Sequence, residues 1–320
     1  MKTSIYPERG RSEWIVSERP PRKELNPDRP HSFFIEQERM SSGEIMDSAA
    51  IFLTGKECPW RCLMCDLWKN TSAQRTPLGA IPRQIDYALE RLVGKPRQIK
   101  LYNSGNFFDH EAIPFGDYPA IASRLAGQAN VVVESHPRLV GAKTLRFRDL
   151  LGSVNLEVAM GLETIHPEVL PRLNKGLTCG HFSAAAEFLR KEKVAMRAFV
   201  LIRPPFLGEE ESLEWTVKTA RFAFDCGASI VSLIPTRPGN GAMDRLMDAG
   251  EFTPPSLDAI ERTLEEVLSL GLGRAFVDTW DLAAFSNCSV CLAKRTERLA
   301  RMNLFQQHFP QVECGTCGGV

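Results

Sequence analysis

The sequence lacks any apolar run near the roughly 20 residues that a bilayer-spanning helix needs, and Met1-Lys2-Thr3-Ser4 opens no signal-peptide pattern. Neither a membrane span nor a secretory route is expected, and the reading is cytoplasmic. Net charge is also missing. Lys and Arg number 39 against 39 Asp and Glu, so no global field draws the chain to nucleic acid or to an anionic surface. A polyanion site would have to be a local patch. Nor do the cysteines suggest disulfides: seven of the nine fall into metal-ligand spacings, namely Cys58, Cys62 and Cys65, then Cys288 and Cys291, then Cys314 and Cys317. In a reducing compartment such spacings argue for metals. Cys179 and Cys226 stand alone and read as packing residues. What remains is an ordinary globular composition, 43% hydrophobic and 24% charged over 320 residues, enough for one large domain with an appendage.

The organising stretch is Cys58-Pro59-Trp60-Arg61-Cys62-Leu63-Met64-Cys65, directly after the apolar run Ala49 to Leu53. Thiols spaced three-then-two on a loop leaving a buried strand can each hold one iron of a 4Fe-4S cube, leaving the fourth iron without a protein ligand. The alternatives are inert buried thiols or a zinc knuckle. A closed zinc site wants four ligands, and His110 or His136 would have to complete it from elsewhere in the fold.

Residues 1–47 carry Arg and Pro in clusters such as Arg19-Pro20-Pro21-Arg22-Lys23, so an irregular arm over the core is expected, with a short strand at Ser32 to Gln37. From Ala49 onward, apolar strands alternate with amphipathic helices, the pattern of a parallel sheet or barrel built from strand-helix units. Periodicity alone leaves a doubly wound sheet open. The suggestive residues fall at strand C-terminal ends, where strand-helix barrels build their sites: Ser104 and Gly105, Glu134, Glu163, Arg203 and Asp278. Gly105 sits in a tight turn that lets backbone approach a ligand. Glu134, just past a buried run, reads equally well as a cap or surface residue. Arg197 interrupts an apolar strand, and inside a barrel its guanidinium needs an anion, either a bound ligand or a carboxylate, unless it points outward.

The tail is a second metal candidate. Cys288 and Cys291, then 22 residues, then Cys314 and Cys317 make paired CxxC motifs that suit a closed tetrahedral zinc site, with an auxiliary iron-sulfur cluster or unmetallated thiols as alternatives. The helix between the pairs carries Lys294, Arg295, Arg298 and Arg301. It reads as a solvated face, or as the local patch for RNA.

The cysteine loop and its strand resemble the radical S-adenosylmethionine (SAM) superfamily. That resemblance implies a partial (β/α)6 barrel over residues 48–285, with an N-terminal extension over 1–47 and a C-terminal cysteine-rich metal module over 286–320. It implies a 4Fe-4S cluster on Cys58, Cys62 and Cys65, with SAM chelated at the open iron. Met64 would present backbone to the adenine, and Ser104, Gly105 and Asn106 would hold the amino group. Glu134 would add a polar contact at the third strand end of the barrel. Gly161-Leu162-Glu163-Thr164 and Leu173-Asn174-Lys175-Gly176 resemble the segment that flanks the SAM ribose and methionine, which puts Glu163 and Asn174 among the contacts; Arg197 and Arg203 complete the candidate set. No catalytic side chain is singled out.

Those strings, with Leu101 to Asp109 and Ile202 to Leu207, resemble the radical SAM family of archaeosine biosynthesis, a relative of the catalytic subunit of the elongator tRNA-modifying complex. This implies a 5'-deoxyadenosyl radical abstracting hydrogen from a 7-deazaguanine-type nucleobase in tRNA. The implied partners are a low-potential electron donor of ferredoxin or flavodoxin type and tRNA, with no membrane, and zinc is the expected ion at the C-terminal cysteines. Two rival readings stand beside this one. One is a radical SAM enzyme acting on a peptide or small molecule with an auxiliary cluster in the tail; the other is a zinc-stabilised RNA-binding adaptor.

Overall fold

The computed structural model describes residues 4–103 and 105–317. Eight strands form one sheet: β1 (Ser32–Arg39), β2 (Ile45–Leu53), β3 (Gln98–Asn103), β4 (Asn130–Ser135), β5 (Asn155–Glu163), β6 (Ala195–Ile202), β7 (Ile230–Pro235) and β8 (Arg274–Val277). β1 is antiparallel to β2, with Ser32 opposite Phe52 and Arg39 opposite Ile45. Every later pair is parallel and follows chain order. A doubly wound sheet would reverse its order at a switch point. Unbroken order gives instead a curled half-barrel, as expected.

The helices are α1 (Arg11–Ser17), α2 (Ala80–Leu89), α3 (Tyr118–Arg124), α4 (Ala142–Leu151), α5 (Val169–Arg172), α6 (Cys179–Lys191), α7 (Glu209–Asp225), α8 (Ala242–Asp248), α9 (Leu257–Ser269) and α10 (Ser289–Phe305). None is long and apolar enough to cross a membrane among the described residues. Alternation divides each strand. Ile51, Leu101, Val133, Val158 and Val200 pack with helix residues such as Ile85, Phe147 and Phe182 in the main core. The intervening residues face the concave side.

That concave side is charged at its lower end, where the parallel strands begin and β1 ends. Lys100 Nζ lies 2.5 Å from carboxylate oxygens of both Glu36 and Glu38. Arg197 donates from Nη2 to Glu38 at 2.6 Å and from Nε to Glu157 at 2.7 Å. Arg197 therefore points into the barrel, but protein carboxylates below the mouth take its donors. The expected SAM contact is replaced by this pairing, because β1 brings Glu38 across the sheet.

The arm is more regular than its composition suggests. β1 is a full edge strand whose Phe33 and Ile35 pack on the core, so the boundary expected at 47/48 falls inside β2. Upstream, α1 buries Ile15, which clusters with Tyr6, Leu63, Met243 and Leu246. At the other edge, β8 has no further strand among the described residues but pairs with side chains of α10. Val277 N–H donates to Asn303 Oδ1 at 2.9 Å and its carbonyl accepts from Nδ2 at 2.8 Å; Gln306 makes the same two bonds to Ala275, each at 2.8 Å.

Candidate active site and metal centre

Cys58, Cys62 and Cys65 lie on the loop above the C-terminal end of β2, at the barrel mouth. Several devices fix this loop. Gly55–Lys56 pairs with Thr71–Ser72, so the chain returns beside its own entry. Asn240, from the loop after β7, donates to Leu63 O at 2.8 Å and Cys65 O at 3.1 Å, while its own oxygen accepts from Met243 N–H. Glu57, just before the first cysteine, binds Arg19 and Arg22 of the arm at 2.8 and 2.5 Å. Trp60 stacks on His136 at 3.8 Å and 6°, and burial, reinforced by Lys175, lowers the His136 pKa to about 3. That ring is neutral and serves as a platform.

Burial pushes the Cys62 thiol up to about 12 and raises Cys58 and Cys65 as well. Such thiols are poor nucleophiles but proper ligands once a metal displaces their protons. Beside them sits an ion pair, Lys175 Nζ to Glu163 Oε1 at 2.7 Å, with both side chains about 10% exposed. Burial disfavours the Lys175 ammonium, yet Glu163 and then Cys62 outweigh it and its pKa rises. Glu134 faces the same group, and burial lifts its carboxyl to about 8, so it is protonated at neutral pH. Gly161 lies under the pair; a Cβ there would run into Glu163 Oε1 and Lys175 Nζ.

The structure thus gathers the cysteine loop, Glu134 and Glu163. Met64 is half-buried and packs against the clusters around Leu63 and Leu173. The other candidates are engaged elsewhere. Asn174 donates to Arg61 O at 2.8 Å and Ser12 Oγ at 3.1 Å, holding arm to loop. Asn106 accepts from His136 N–H at 2.6 Å. Gly105 is required by packing, since a Cβ would stand 2.8 Å from Lys56 O. Arg203 donates to Glu209 at 2.6 Å and Pro254 O at 3.2 Å, away from the mouth. Ser104 lies outside the described residues. Sequence reasoning passed over Lys175, Asn240 and the Trp60–His136 stack. Lys175 was visible only as part of a string, and Asn240 looked like one more turn former in Pro238-Gly239-Asn240-Gly241.

The second centre is compact. Cys288 Sγ is 3.9 Å from Cys314 Sγ, Cys291 Sγ is 3.8 Å from Cys317 Sγ, and all four sulfurs lie within 4.8 Å of one another. A zinc–thiolate bond of about 2.3 Å gives a regular tetrahedron edges of about 3.8 Å. The set therefore suits a single ion, whereas a cubane puts each thiolate on a different iron and spreads them. Backbone N–H groups of Cys317 and Thr316 pull the Cys314 thiol down to about 6, and those of Cys291 and Val290 lower Cys288.

No family model matches the chain. Archaeosine synthase subunit beta of Methanosarcina acetivorans is 24% identical over 264 residues, covering 78% of this chain and 76% of its own. The protein of the same name from Thermococcus kodakarensis is 28% identical over 204 residues, 61% of this chain and 63% of its own. Among solved structures, Elp3 of Methanocaldococcus infernus with an N-terminal deletion shares the fold at TM-score 0.51 and 15% identity, over 80% of this chain and 63% of that one. The half-barrel fold is thus shared with Elp3, and in sequence the chain resembles the archaeosine synthase beta subunits.

Proposed function

We propose that the chain binds a 4Fe-4S cluster through Cys58, Cys62 and Cys65, binds SAM beside it, and acts on a 7-deazaguanine-type nucleobase in tRNA. The observation that carries the first part is the set of buried thiols at the barrel mouth, flanked by Lys175, Glu163 and Glu134. When bound, the cluster supplies the electron that cleaves SAM to a 5'-deoxyadenosyl radical. The chain's residues do the rest. Lys175 offers a cation to the methionine carboxylate, Glu163 offers a carboxylate to its ammonium, and Glu134, protonated at neutral pH, adds a neutral carbonyl acceptor, so the site complements an amino-acid zwitterion. Asn240, Glu57 and the Trp60–His136 stack hold the loop still, and the arm shields it from water. A low-potential ferredoxin or flavodoxin is the proposed donor. Zinc is the proposed ion at Cys288, Cys291, Cys314 and Cys317, supported by their spacing.

The nucleobase reading is supported by the names of the relatives. Anaerobic reconstitution with iron and sulfide, then dithionite and SAM, tests the chemistry: 5'-deoxyadenosine should appear, and Cys62→Ala should abolish it. Persistence of the product in that variant would overturn the cluster assignment. Deleting the gene should alter the nucleoside profile of bulk tRNA; an unchanged profile would remove tRNA as substrate.

A further inference from the structure

The segment that delivers Lys175 is fitted to the cysteine loop residue by residue. Leu63 N–H donates to Leu173 O at 2.9 Å, Asn174 Nδ2 donates to Arg61 O at 2.8 Å, and the Trp60 indole packs against Gly176. This crossing needs left-handed backbone at Asn174 and Gly176, with φ of 54° and 65°. A Cβ on Gly176 would stand 3.0 Å from Trp60 Nε1. His136, 4% exposed and just past the end of β4, joins the two partners. Its face carries the Trp60 ring, and its edge meets the Lys175 backbone. Arg138 N–H donates to His136 Nδ1 at 3.2 Å, which leaves the ring proton on Nε2, and Nε2–H donates to Lys175 O at 3.1 Å. Lys175 is the one charged residue between Leu173 and Gly176, and its Nζ lies 2.7 Å from Glu163 Oε1.

We propose that His136 is a positioning residue for SAM binding: its Nε2–H holds the Lys175 backbone and so fixes where the Lys175 ammonium stands beside the cysteine loop. This rests on the SAM reading above and deepens it. The flat ring and the ring N–H have separate tasks. Stacking on Trp60 steadies the loop, and any flat ring can do that. Aiming Lys175 needs a donor at the place of Nε2. Without that donor a buried carbonyl loses its partner, and the segment shifts until water or another donor meets it. The ammonium moves with its backbone.

The test is calorimetric titration of SAM into the reconstituted full-length protein, with iron content measured on each preparation. His136→Phe keeps a flat ring for Trp60 but has no donor. It should weaken SAM by about three- to tenfold while retaining the parent's iron. His136→Gln places an amide N–H near the position of Nε2 and should bind SAM within about twofold of the parent. Combining His136→Phe with Lys175→Met should lose no more affinity than Lys175→Met alone, because both act through one ammonium. Additive losses would make His136 a general prop of the fold and overturn the proposal. So would parent affinity in His136→Phe, or loss of its iron, which would place the effect on the cysteine loop. If circular dichroism shows His136→Phe unfolded, His136→Gln decides: weakened binding there overturns the proposal, and parent-like binding upholds it. Absence of SAM binding by the parent, or parent affinity in Lys175→Met, would overturn the SAM site itself. Weakened binding in Lys175→Met beside an unaffected His136→Phe overturns this inference alone.

Discussion

Replacing Asn303 with leucine removes the side chain that stands in for a missing neighbour strand. The wild-type amide satisfies both the N–H and the carbonyl of Val277, a residue 3% exposed. Leucine keeps the volume but leaves both backbone groups without partners. A buried, unsatisfied polar group costs about 1–3 kcal/mol, so two cost about 2–6 kcal/mol, and water entering at a sheet edge brings the loss toward about 2 kcal/mol. That is a large share of the roughly 5–15 kcal/mol that holds a folded protein together. Urea denaturation of the metal-loaded protein reads the loss directly, and hydrogen exchange of a peptide spanning residues 274–278 localises it. Asn303→Asp separates the two bonds: it keeps the acceptor for Val277 N–H but sets a carboxylate against Val277 O, so it should destabilise as well. A leucine variant within about 0.5 kcal/mol of the parent, with the Val277 amide still protected, would refute the idea that these amides close the edge.

Three further outcomes are expected. Lys175→Met, which removes the cation beside Cys62, should weaken SAM binding by about tenfold or more in a filter or calorimetric assay; unchanged affinity would detach Lys175 from the SAM site. Cys291→Ser should abolish the metal bound at the C-terminal centre, as read by elemental analysis, while leaving the iron at Cys58, Cys62 and Cys65; retained metal would show that the four sulfurs do not act as one ligand set. Glu38 titrates with a definite sign. Burial alone would raise its pKa, but Arg197 and Lys100 outweigh burial and hold it well below the usual carboxylate range. The unfolded chain takes up that proton near its ordinary pKa of about 4.3, before the folded one does. Glu38 therefore stabilises fully above about pH 5 and loses its contribution as pH falls further. Melting temperature between neutral and acid pH should fall less steeply for Glu38→Gln than for the parent, and an equally steep fall would show that the pair carries no such linkage.

The cysteine spacing, the strand-helix alternation and the C-terminal ends of the strands were legible in the sequence, because each is a local pattern. What escaped was set by tertiary pairing. Arg197 announced that it needed an anion, but its partner Glu38 comes from a strand in the stretch that Arg and Pro clusters made look irregular. Asn174 lay in a string that suggested a cofactor contact, yet its amide spans Ser12 and Arg61, because the arm crosses the loop there. Periodicity cannot reveal such crossings: an asparagine that holds a ligand and one that holds a carbonyl have the same letter and much the same neighbours.

The tail shows how far that ambiguity reaches. In sequence, α10 looks like a basic helix available to a polyanion. In the fold, Arg295 and Arg298 are turned onto α9, where Glu261 accepts from Arg295 Nε at 2.8 Å and forms an ion pair with Arg298 Nη1 at 3.2 Å, and Glu265 pairs with Arg298. Arg298 also donates to the carbonyls of Phe309 and Pro310, so the chain leaving α10 folds back along it. That return brings Cys314 and Cys317 to Cys288 and Cys291 at the helix start. Each part of the segment then acts in one direction. The four cysteines converge at its first turn, the arginines fix its middle to α9, and Asn303 and Gln306 at its end pair the last strand. Arg274 continues the brace by donating to Arg39 O of β1 at 2.6 Å, across the gap between the two edge strands. The tail's charge and its cysteines therefore serve the barrel's open edge. The proposed tRNA substrate would have to find cations other than these two arginines, and withdrawing the ion proposed at the four cysteines should loosen β8 before it touches the cysteine loop.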